Sequence, residues 1–599
     1  MSNLQSTKQT SLIRRLLGYS FPHKKLFLSA FAMLIVAIGA EMLIPWLAKI
    51  IIDDVIIPQQ FEWQALGLLL SLIVIAYLVS SFLTYIQNLL FRKGALLVVK
   101  DVRKQLFSHV LNYQISKFDK EPSGKLVSYI INDTEALRDM FMSTLPTVLQ
   151  GTLRIIAIFI AIAILDWRLM LVSLVLIPVL LLTMQLYRKI SMSAFEGVRS
   201  QISKINGRLS ESLQGMTLIQ SFRQESSFRA KFYNENNHWF EYKRRSVAID
   251  SLMLLPLTRL ISTLATAGIL AWFAGASLTT VIEIGALYAF LNYIERFFDP
   301  FRQLSMELRK LQIATVSSKR IFEMLDEKNT HNSDTYEEQA LNDKYDIEFR
   351  NVSFGYDENS PVLSDVSFTA KTGQYTAIVG HSGSGKSSII NVLMKFYNHQ
   401  KGEILIGGQP LNKFSDAQIH KIFGLVSQDP VIFKGSALEN INLSSDELGE
   451  DHAIKIAKQV NVHKFIDSLP NKYTHILGQG GAQLSTGESQ LIAIARTLSH
   501  SPSIFLLDEA TANIDSESEE TVKAVLTKVQ KGKTVIAIAH RISTVKYADQ
   551  ILVMNKGKVV QMGTHQQLIS QPGDYQNLYL AQQQQEAEDL NNLTLGLTA

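Results

Sequence analysis

The sequence predicts an all-α six-helix transmembrane domain with long cytoplasmic helical extensions, followed by an α/β domain. Three observations predict this fold class. The 599 residues are 47% apolar and only 19% charged, whereas soluble proteins average about 25% charged residues. The composition changes sharply after Phe322. From Tyr345 onward, short strand-like runs alternate with helical patterns, as in an α/β domain.

Six stretches have the composition of membrane spans. A bilayer core of about 30 Å is crossed by about 20 residues of helix. The six predicted spans cover residues 26–52, 63–91, 145–165, 169–187, 252–272, and 281–294 and beyond. The first 25 residues are polar and lack an apolar run followed by a small-residue cleavage site, so no removable signal peptide is expected.

The distribution of Lys and Arg predicts how the spans are oriented. Residues 92–138 and 188–245 are rich in both, whereas the loops after the first, third and fifth spans hold almost none. Because cytoplasmic loops carry the basic excess, both termini and these two segments are expected in the cytoplasm. Topology thus accounts for the net charge of +4, and no nucleic-acid partner is expected.

Each basic segment is helical in pattern and breaks once, at Pro122-Ser123-Gly124 and at Gly215. This predicts two hairpins whose tips can contact a cytoplasmic domain. The predicted boundaries are a transmembrane domain at 1–325, a linker at 326–344, an α/β domain at 345–580 and a disordered tail at 581–599. The chain has no Cys, which excludes disulfides, thiolate metal sites and Cys nucleophiles.

A phosphate-binding loop is the strongest chemical motif. The pattern Gly-x-x-x-x-Gly-Lys-Ser follows a strand-like run and precedes an apolar helical run. In such a loop, backbone N–H groups approach phosphates, the Lys neutralises their charge and the Ser can ligate Mg²⁺. The residues predicted to bind here are Gly380, His381, Ser382, Gly383, Ser384, Gly385, Lys386, Ser387 and Ser388.

Two further apolar strands end in side chains suited to phosphate chemistry. The run 504–507 leads to Asp508 and Glu509, one carboxylate for Mg²⁺ and one to polarise an attacking water. The run 534–539 leads to His540, which taken alone would more often be a surface or capping residue.

A signature-like segment lies between the phosphate loop and Asp508. It consists of Leu484, Ser485, Thr486, Gly487 and Glu488, and it resembles the signature of ATP-binding cassette (ABC) transporters. The resemblance extends to an adenine-stacking aromatic, a Q-loop, a D-loop and a switch histidine, which correspond to Tyr356, Gln428, Asn513 with Asp515, and His540. Six spans ahead of one such domain resemble an ABC exporter half-transporter over nearly the whole chain.

Two details bring the resemblance nearest to bacterial multidrug-type half-transporters. They are Asp166-Trp167-Arg168 and the hairpin tip that runs from Phe118-Asp119 to Gly124. The resemblance implies that two α/β domains close head to tail, so that each ATP lies between one chain's phosphate loop and the other chain's signature.

The resemblance also implies a role for each matching residue. Glu509 would be the general base and His540 would sense the γ-phosphate. Mg²⁺ would be held by Ser387, Gln428 and Asp508, with Gln428 also counted among the catalytic residues. The hairpin tips would be coupling helices.

The signature departs from the family pattern at two positions. Thr486 replaces a Gly, and its Cβ limits close approach of backbone to phosphate. Glu488 replaces a Gln and adds a negative charge. Gln479 and Asn513 depart as well, whereas the chain's own Lys386, Asp508, Glu509 and His540 are intact. We therefore expect a heterodimer with a second half-transporter; a homodimer remains the alternative.

The expected function is ATP-driven export of amphipathic small molecules across the bacterial cytoplasmic (inner) membrane, by a multi-pass protein surrounded by lipid. Lipid flipping and peptide export remain alternatives, as does an ATP-gated channel or membrane regulator. Glu41, Arg154 and Arg259 lie within apolar stretches. Glu41 is expected either to attract cationic cargo or to form an interhelical ion pair. The sequence leaves the cargo residues open.

Overall fold

The computed structural model describes residues 12–584 except 13, 60–61, 254–255, 277–283, 328–344, 358–359, 444–447, 479–480, 483, 509–521, 523, 526, 528–532 and 540–544. The chain forms two compact units. A helical unit comprises Met1–Asn112 and Pro122–Lys328, and an α/β unit comprises Tyr113–Glu121 and Asn329–Ala599. The short segment Tyr113–Glu121 therefore belongs to the α/β unit, although its sequence lies between two predicted spans.

Helices of 6 to 49 residues make up the first half of the chain. They are α1 (Lys24–Ile50), α2 (Trp63–Leu111), α3 (Ile115–Lys120), α4 (Ser123–Ser128), α5 (Thr134–Asp139), α6 (Leu145–Leu165), α7 (Trp167–Leu174), α8 (Leu176–Gln214), α9 (Met216–Ser221), α10 (Glu225–Met253), α11 (Pro256–Ala276) and α12 (Ile284–Asp326). Helices α1, α2, α6 and α12 pack together, and α8 packs along α10. Helix α3 is the one assigned to the α/β unit.

Five helical stretches among the described residues are long and apolar enough to cross a membrane. They are Phe21–Ile56, Trp63–Leu111, Ser123–Leu165, Trp167–Gln214 and Glu225–Gly268. The sixth predicted span falls on the start of α12 and on residues 281–283, which lie outside the described part, so the count of six stays a prediction. Between 6% and 28% of each apolar window is buried within the chain. Most of this apolar surface is thus left to face lipid or another protein.

An apolar core joins α1, α6 and α12. Its buried residues include Leu34, Ile38 and Met42 from α1, Ile158 and Ile162 from α6, and Phe290, Tyr293 and Phe297 from α12. The Tyr293 hydroxyl donates a hydrogen bond of 2.7 Å to the Met42 carbonyl, which satisfies a polar group that would be costly in hydrocarbon. This core places the charged residues of the three helices side by side.

Both predicted hairpin breaks are present, but the expectation of one break per segment is wrong, because α2 also ends at Leu111 before α3, and α9 also ends at Ser221 before α10. Helix α3 ends at Lys120, and Pro122 is the N-cap of α4. Helix α8 ends at Gln214, and Gly215 separates it from α9. The breaks follow from local chemistry, since Pro disfavours helix in the residue before it and Gly lowers helix stability.

The predicted α/β fold of the second half is confirmed. Its strands are β1 (Ile347–Phe354), β2 (Leu363–Ala370), β3 (Tyr375–Gly380), β4 (Lys401–Ile406), β5 (Gln409–Pro410), β6 (Phe423–Val426), β7 (Gly435–Ser436), β8 (Ile476–Leu477), β9 (Ile504–Asp508), β10 (Thr534–Ile538), β11 (Gln550–Asn555) and β12 (Lys558–Gly563). Its helices are α13 (Lys386–Leu393), α14 (Asp416–Ile422), α15 (Ala437–Ile441), α16 (Glu450–Gln459), α17 (His463–Ser468), α18 (Thr486–Ser499) and α19 (His565–Ile569).

The central sheet of this unit has the order β12-β11-β3-β10-β9-β6, parallel except for the edge strand β12. A second, antiparallel sheet has the order β2-β1-β4-β5. Alternate residues of β3 enter two apolar clusters: Ala377 and Val379 belong to one, and Ile378 belongs to the other. Burial on both faces explains why this strand reads as a continuous apolar run.

The domain boundaries are not all visible. Most of the predicted linker, and residues 585–599 of the predicted tail, lie outside the described residues. A helix covers 574–584, so the first four residues assigned to a disordered tail are helical. The helix is held in place because Leu578 and Tyr579 pack against the core of the α/β unit.

Candidate nucleotide site

The parallel sheet brings the predicted chemical residues to one edge. The phosphate loop follows β3, Asp508 ends β9, and Gln428 comes two residues after β6. Because the strands are parallel, their carboxyl ends meet at the same edge, which is where ligands bind in open α/β sheets. Strand order was not predictable from the local motifs, yet it is what makes them one site.

The backbone of the phosphate loop requires glycine. Gly380, Gly383 and Gly385 have φ angles of +154°, +76° and +96°, which residues other than Gly rarely adopt. A Cβ on Gly380 would lie 2.2 Å from the Met554 carbonyl oxygen of β11. The loop is thus pressed against the neighbouring strand, and it ends where α13 begins with Lys386. Its N–H groups and the amino end of α13 form a suitable cradle for phosphate.

Lys386 is the charged centre of this loop. It is 5% exposed, and its ammonium donates to the carbonyl oxygens of Gly380 at 2.9 Å and His381 at 3.1 Å. The side chain therefore folds back over the loop, within reach of any anion held by the loop N–H groups. Loop residues His381, Ser382 and Gly383 are exposed at the tip, whereas Ser384 and Gly385 are buried.

Ser387 and Asp508, predicted as Mg²⁺ ligands, are brought together. The Ser387 hydroxyl donates to Oδ1 of Asp508 across 3.3 Å. A hydroxyl and a carboxylate oxygen are the hard donors that Mg²⁺ prefers, so this pair fits the ion. Gln428, the third predicted ligand, is exposed, and among the described residues no hydrogen bond joins it to the other two.

Tyr356 is held by polar contacts at the base of α13. Its hydroxyl lies 3.1 Å from Ser388 Oγ and accepts a 3.0 Å hydrogen bond from Asn391. Its ring meets the Tyr397 ring at a right angle, with centroids 4.9 Å apart. With 38% of its surface exposed, Tyr356 retains a free area for stacking.

Tyr397 is a residue that sequence reasoning missed. Its hydroxyl donates to Asp119, in the segment Tyr113–Glu121 of the α/β unit. Burial, together with this hydrogen bond, raises the pKa of Tyr397, so the phenol stays a donor at neutral pH. In the sequence, the Phe118-Asp119 pair stands out only as part of a family-like hairpin tip. No local pattern marks Tyr397, because its partner is far away in sequence.

The signature segment opens helix α18. Ser485 is the N-cap: its hydroxyl accepts from the Glu488 N–H at 3.2 Å, and the Glu488 carboxylate accepts from the Ser485 N–H at 2.8 Å. This capping box satisfies two N–H groups of the helix start. Thr486 is exposed, Gly487 is buried and Leu484 packs against the core. Glu488 is thus both a structural cap and a negative charge at a helix amino terminus.

The remaining predicted site residues fall outside the described part of the chain. They are Glu509, Asn513, Asp515, His540 and Gln479. Glu509 directly follows Asp508, and His540 comes two residues after β10 ends. Their roles stay predictions.

Comparison with known proteins agrees with this geometry. The family model described as "ABC transporter transmembrane region" matches residues 27–301, and the one described as "ABC transporter" matches residues 363–512. Together they cover most of the membrane half and the α/β unit from β2 to β9.

Three relatives align with most of the chain. "Probable multidrug resistance ABC transporter ATP-binding/permease protein YheH" of Bacillus subtilis (strain 168) is 38% identical over 88% of this chain and 78% of its own. "Multidrug resistance-like ATP-binding protein MdlB" of Buchnera aphidicola subsp. Schizaphis graminum (strain Sg) is 32% identical over 95% and 97%. "ATP-dependent lipid A-core flippase" of Syntrophus aciditrophicus (strain SB) is 28% identical over 96% and 95%. With the phosphate loop, its neighbouring carboxylate and the fused membrane helices in place, the chain belongs to the ABC transporter family and couples ATP hydrolysis to transport.

Proposed function

We propose that this protein exports amphipathic small molecules of the multidrug type, as one half of a dimeric transporter in the bacterial cytoplasmic (inner) membrane. The observation that carries the proposal is the fusion of membrane-length apolar helices to a complete phosphate loop. Two relatives that align over most of the chain are named for multidrug resistance. The basic segments at 92–138 and 188–245 support a cytoplasmic location for the ATP site and both termini.

Within the ATP site, we assign roles by contacts for Lys386, Ser387, Asp508 and Tyr356, and by the resemblance of the motif for the other residues. Lys386 and the N–H groups of the loop hold the phosphates, and Tyr356 supports the adenine. Ser387 and Asp508, with Gln428, hold Mg²⁺, which neutralises phosphate charge when bound. Glu509 polarises the attacking water and His540 senses the γ-phosphate. Asn513 and Asp515 form the D-loop.

The signature supports a partner that differs from this chain. Glu488 places a carboxylate at the amino end of α18, where the partner's γ-phosphate would bind. Thr486, exposed beside it, adds a Cβ at the same surface. The impaired surface is the one offered to the partner, whereas this chain's own phosphate loop is intact. A heterodimer in which the partner supplies an intact signature fits this asymmetry better than a homodimer.

The second hairpin tip supports dimerisation. Leu218 is 65% exposed and Phe222 is 69% exposed in this tip, next to Gly215. Large apolar side chains at a cytoplasmic tip are unfavourable in water, so a protein surface is expected to cover them. We assign this tip, and helix α3 in the first tip, as coupling helices.

Hydrolysis-dependent transport tests the proposal. The chain would be co-expressed with the half-transporter encoded beside it and reconstituted into sealed vesicles with fluorescent amphipathic dyes. Dye accumulation should require ATP and Mg²⁺ and should stop in Glu509→Gln, which retains bound ATP. Accumulation at the parental rate in Glu509→Gln would show that the base is misassigned. ATP hydrolysis without any dye or lipid movement would refute export.

Purification of the chain alone tests the heterodimer. We expect weak ATPase activity that rises when the partner is added. A stable homodimer with brisk, drug-stimulated ATPase activity would refute the heterodimer and leave export intact.

Lipid movement is the second candidate function, since one relative is named as a lipid A-core flippase. Fluorescent phospholipid added to the same vesicles decides between the two: ATP-dependent movement of lipid but not of dye would favour the flippase.

A further inference from the structure

Three charged residues meet where α1, α6 and α12 pack together. Glu41 Oε2 lies 2.9 Å from Arg154 Nη2, and Glu41 Oε1 lies 2.9 Å from Arg296 Nη1. One carboxylate is therefore shared by two guanidinium groups. Glu41 is occupied by this pairing, so of the two interpretations open from the sequence, the ion pair is the one observed. We call Glu41, Arg154 and Arg296 the arginine cluster.

Two members of the arginine cluster, Glu41 and Arg154, lie deep within apolar helix, and Arg296 follows the apolar first part of α12. At 1.5 Å per residue, Glu41 is about 25 Å along α1 from Lys24, and Arg154 is about 14 Å along α6 from Leu145. The surrounding core consists of apolar residues such as Ile38, Ile158 and Phe297. Charges at such depth are costly, face the bundle interior or a wet cavity, and mark functional sites.

The cluster keeps an excess positive charge. The three side chains of the cluster sum to a charge of +1. Glu295 and Asp299 flank Arg296 along α12, but among the described residues each guanidinium is salt-bridged to Glu41 alone. An excess positive charge in a low-dielectric setting favours a further anionic partner. The cluster would therefore repel the cationic cargo that Glu41 alone was expected to attract.

The two arginines also have N–H donors that Glu41 does not use, which favours an anionic ligand. A guanidinium has five N–H donors, and each arginine gives one of them to Glu41. The Nε of Arg154 is buried and, within the described part of the chain, has no acceptor. The side chains of Glu41, Arg154 and Arg296 are 23%, 20% and 29% exposed, so a ligand can reach them.

We infer that the arginine cluster binds the anionic group of an amphiphile, a phosphate or carboxylate attached to an alkyl chain. Guanidinium groups match the geometry of both anions, and the apolar helices around the cluster accept the chain. The inference rests on the proposed export function, because it names the cargo class. It predicts that acidic amphiphiles, rather than cationic drugs, are preferred.

Binding without ATP tests the inference apart from transport. The full-length chain, with its co-expressed partner, would be reconstituted into neutral phosphatidylcholine vesicles. The probes are a fluorescent dodecyl phosphate and a dodecyl trimethylammonium carrying the same fluorophore. Charge-assisted hydrogen bonds should make the phosphate bind about tenfold more tightly. Phosphatidylglycerol in the vesicles displaces the probe if lipid headgroups occupy the site, and leaves it bound if the ligand is a free amphiphile.

The sign of each variant's effect separates an anion site from a structural ion cluster. Arg154→Gln and Arg296→Gln remove the excess charge and should weaken phosphate binding about tenfold. Glu41→Gln frees both arginines and should strengthen it. Arg296→Lys keeps the charge and should retain the preference, and Arg259→Gln, a matched arginine on α11, should change nothing.

Two results would overturn the inference. One is a parent transporter that binds both probes equally. The other is a Glu41→Gln variant that weakens phosphate binding in parallel with the arginine variants, as a purely structural cluster would. If one glutamine variant is not recovered folded, the other and Arg296→Lys decide. Because no ATP is present, neither result bears on whether hydrolysis drives export.

Discussion

Replacing Gly380 with Ala should impair ATP binding by the phosphate loop without affecting the rest of the protein. A Cβ there would lie 2.2 Å from the Met554 carbonyl oxygen and 2.8 Å from Ser384 Oγ. The first contact is with backbone, which cannot rotate away, so the loop must move by about 1 Å to restore ordinary contact. The φ of +154° adds strain of about 1–3 kcal/mol.

A shift of that size moves the phosphate-facing N–H groups out of position. A misplacement of 1 Å costs about 100-fold in rate, so ATP turnover by the assembled transporter should fall about that much. Binding of a fluorescent ATP analogue to the chain should weaken with it. The membrane half should be unaffected, because the loop lies within the α/β unit.

Two matched glycines separate local strain from loop displacement. Gly383 lies in the same loop with φ +76°, but nothing lies within 4 Å of an added Cβ, so Gly383→Ala should lower affinity much less than Gly380→Ala. Gly373 has φ +77° and open space outside the site, so Gly373→Ala should cost about 1–3 kcal/mol of stability and leave ATP binding unchanged. Unchanged ATP affinity in Gly380→Ala would refute the close-packing argument.

Three further predictions follow from contacts elsewhere in the chain. Glu488→Gln keeps an acceptor for the Ser485 N–H, so the free energy of unfolding should change by less than about 1 kcal/mol. Loss of the charge should raise ATP turnover with the partner, and a turnover no higher than the parent's would argue against charge repulsion. Tyr397→Phe removes the donor to Asp119, a bond to a charged group worth about 1.5–3 kcal/mol, so hydrogen exchange in residues 113–121 should accelerate; unchanged exchange would mean that other contacts hold this segment. Gly285→Ala puts a Cβ 2.5 Å from the Lys49 carbonyl oxygen, so thermal melts should show the helical unit destabilised by about 1–3 kcal/mol. Gly39→Ala, with nothing within 4 Å of the added Cβ, should not destabilise it.

The arginine cluster shows where residue patterns stop being informative. Glu41, Arg154 and Arg259 were each recognisable as charges in apolar stretches, because that needs only composition. Arg296 is not recognisable in this way, since it follows the apolar part of the last predicted span and lies beside Glu295 and Asp299. Only helix packing shows that Arg296, 255 residues away in sequence, shares Glu41 with Arg154. Arg259 is not one of the ion-pair partners of Glu41 among the described residues.

The phosphate loop shows the opposite case. Its glycines, Lys386 and Ser387 are contiguous, and backbone chemistry prescribes their spacing, so the sequence alone determined both the motif and its flanking strand and helix. The same holds for the hairpin breaks at Pro122 and Gly215, because turns depend on near neighbours.

What only the tertiary structure decided are the pairings between distant segments. Tyr397 reaches Asp119 over 278 residues, Ser387 reaches Asp508 because one strand separates β3 from β9 in the sheet, and Glu41 is neutralised by arginines on two other helices. Local sequence sets which groups a segment carries and how its backbone runs. The packing of helices and strands decides which groups meet and which charges surround each group. Electrostatic and hydrogen-bond energies depend on distance in space, which the sequence does not state.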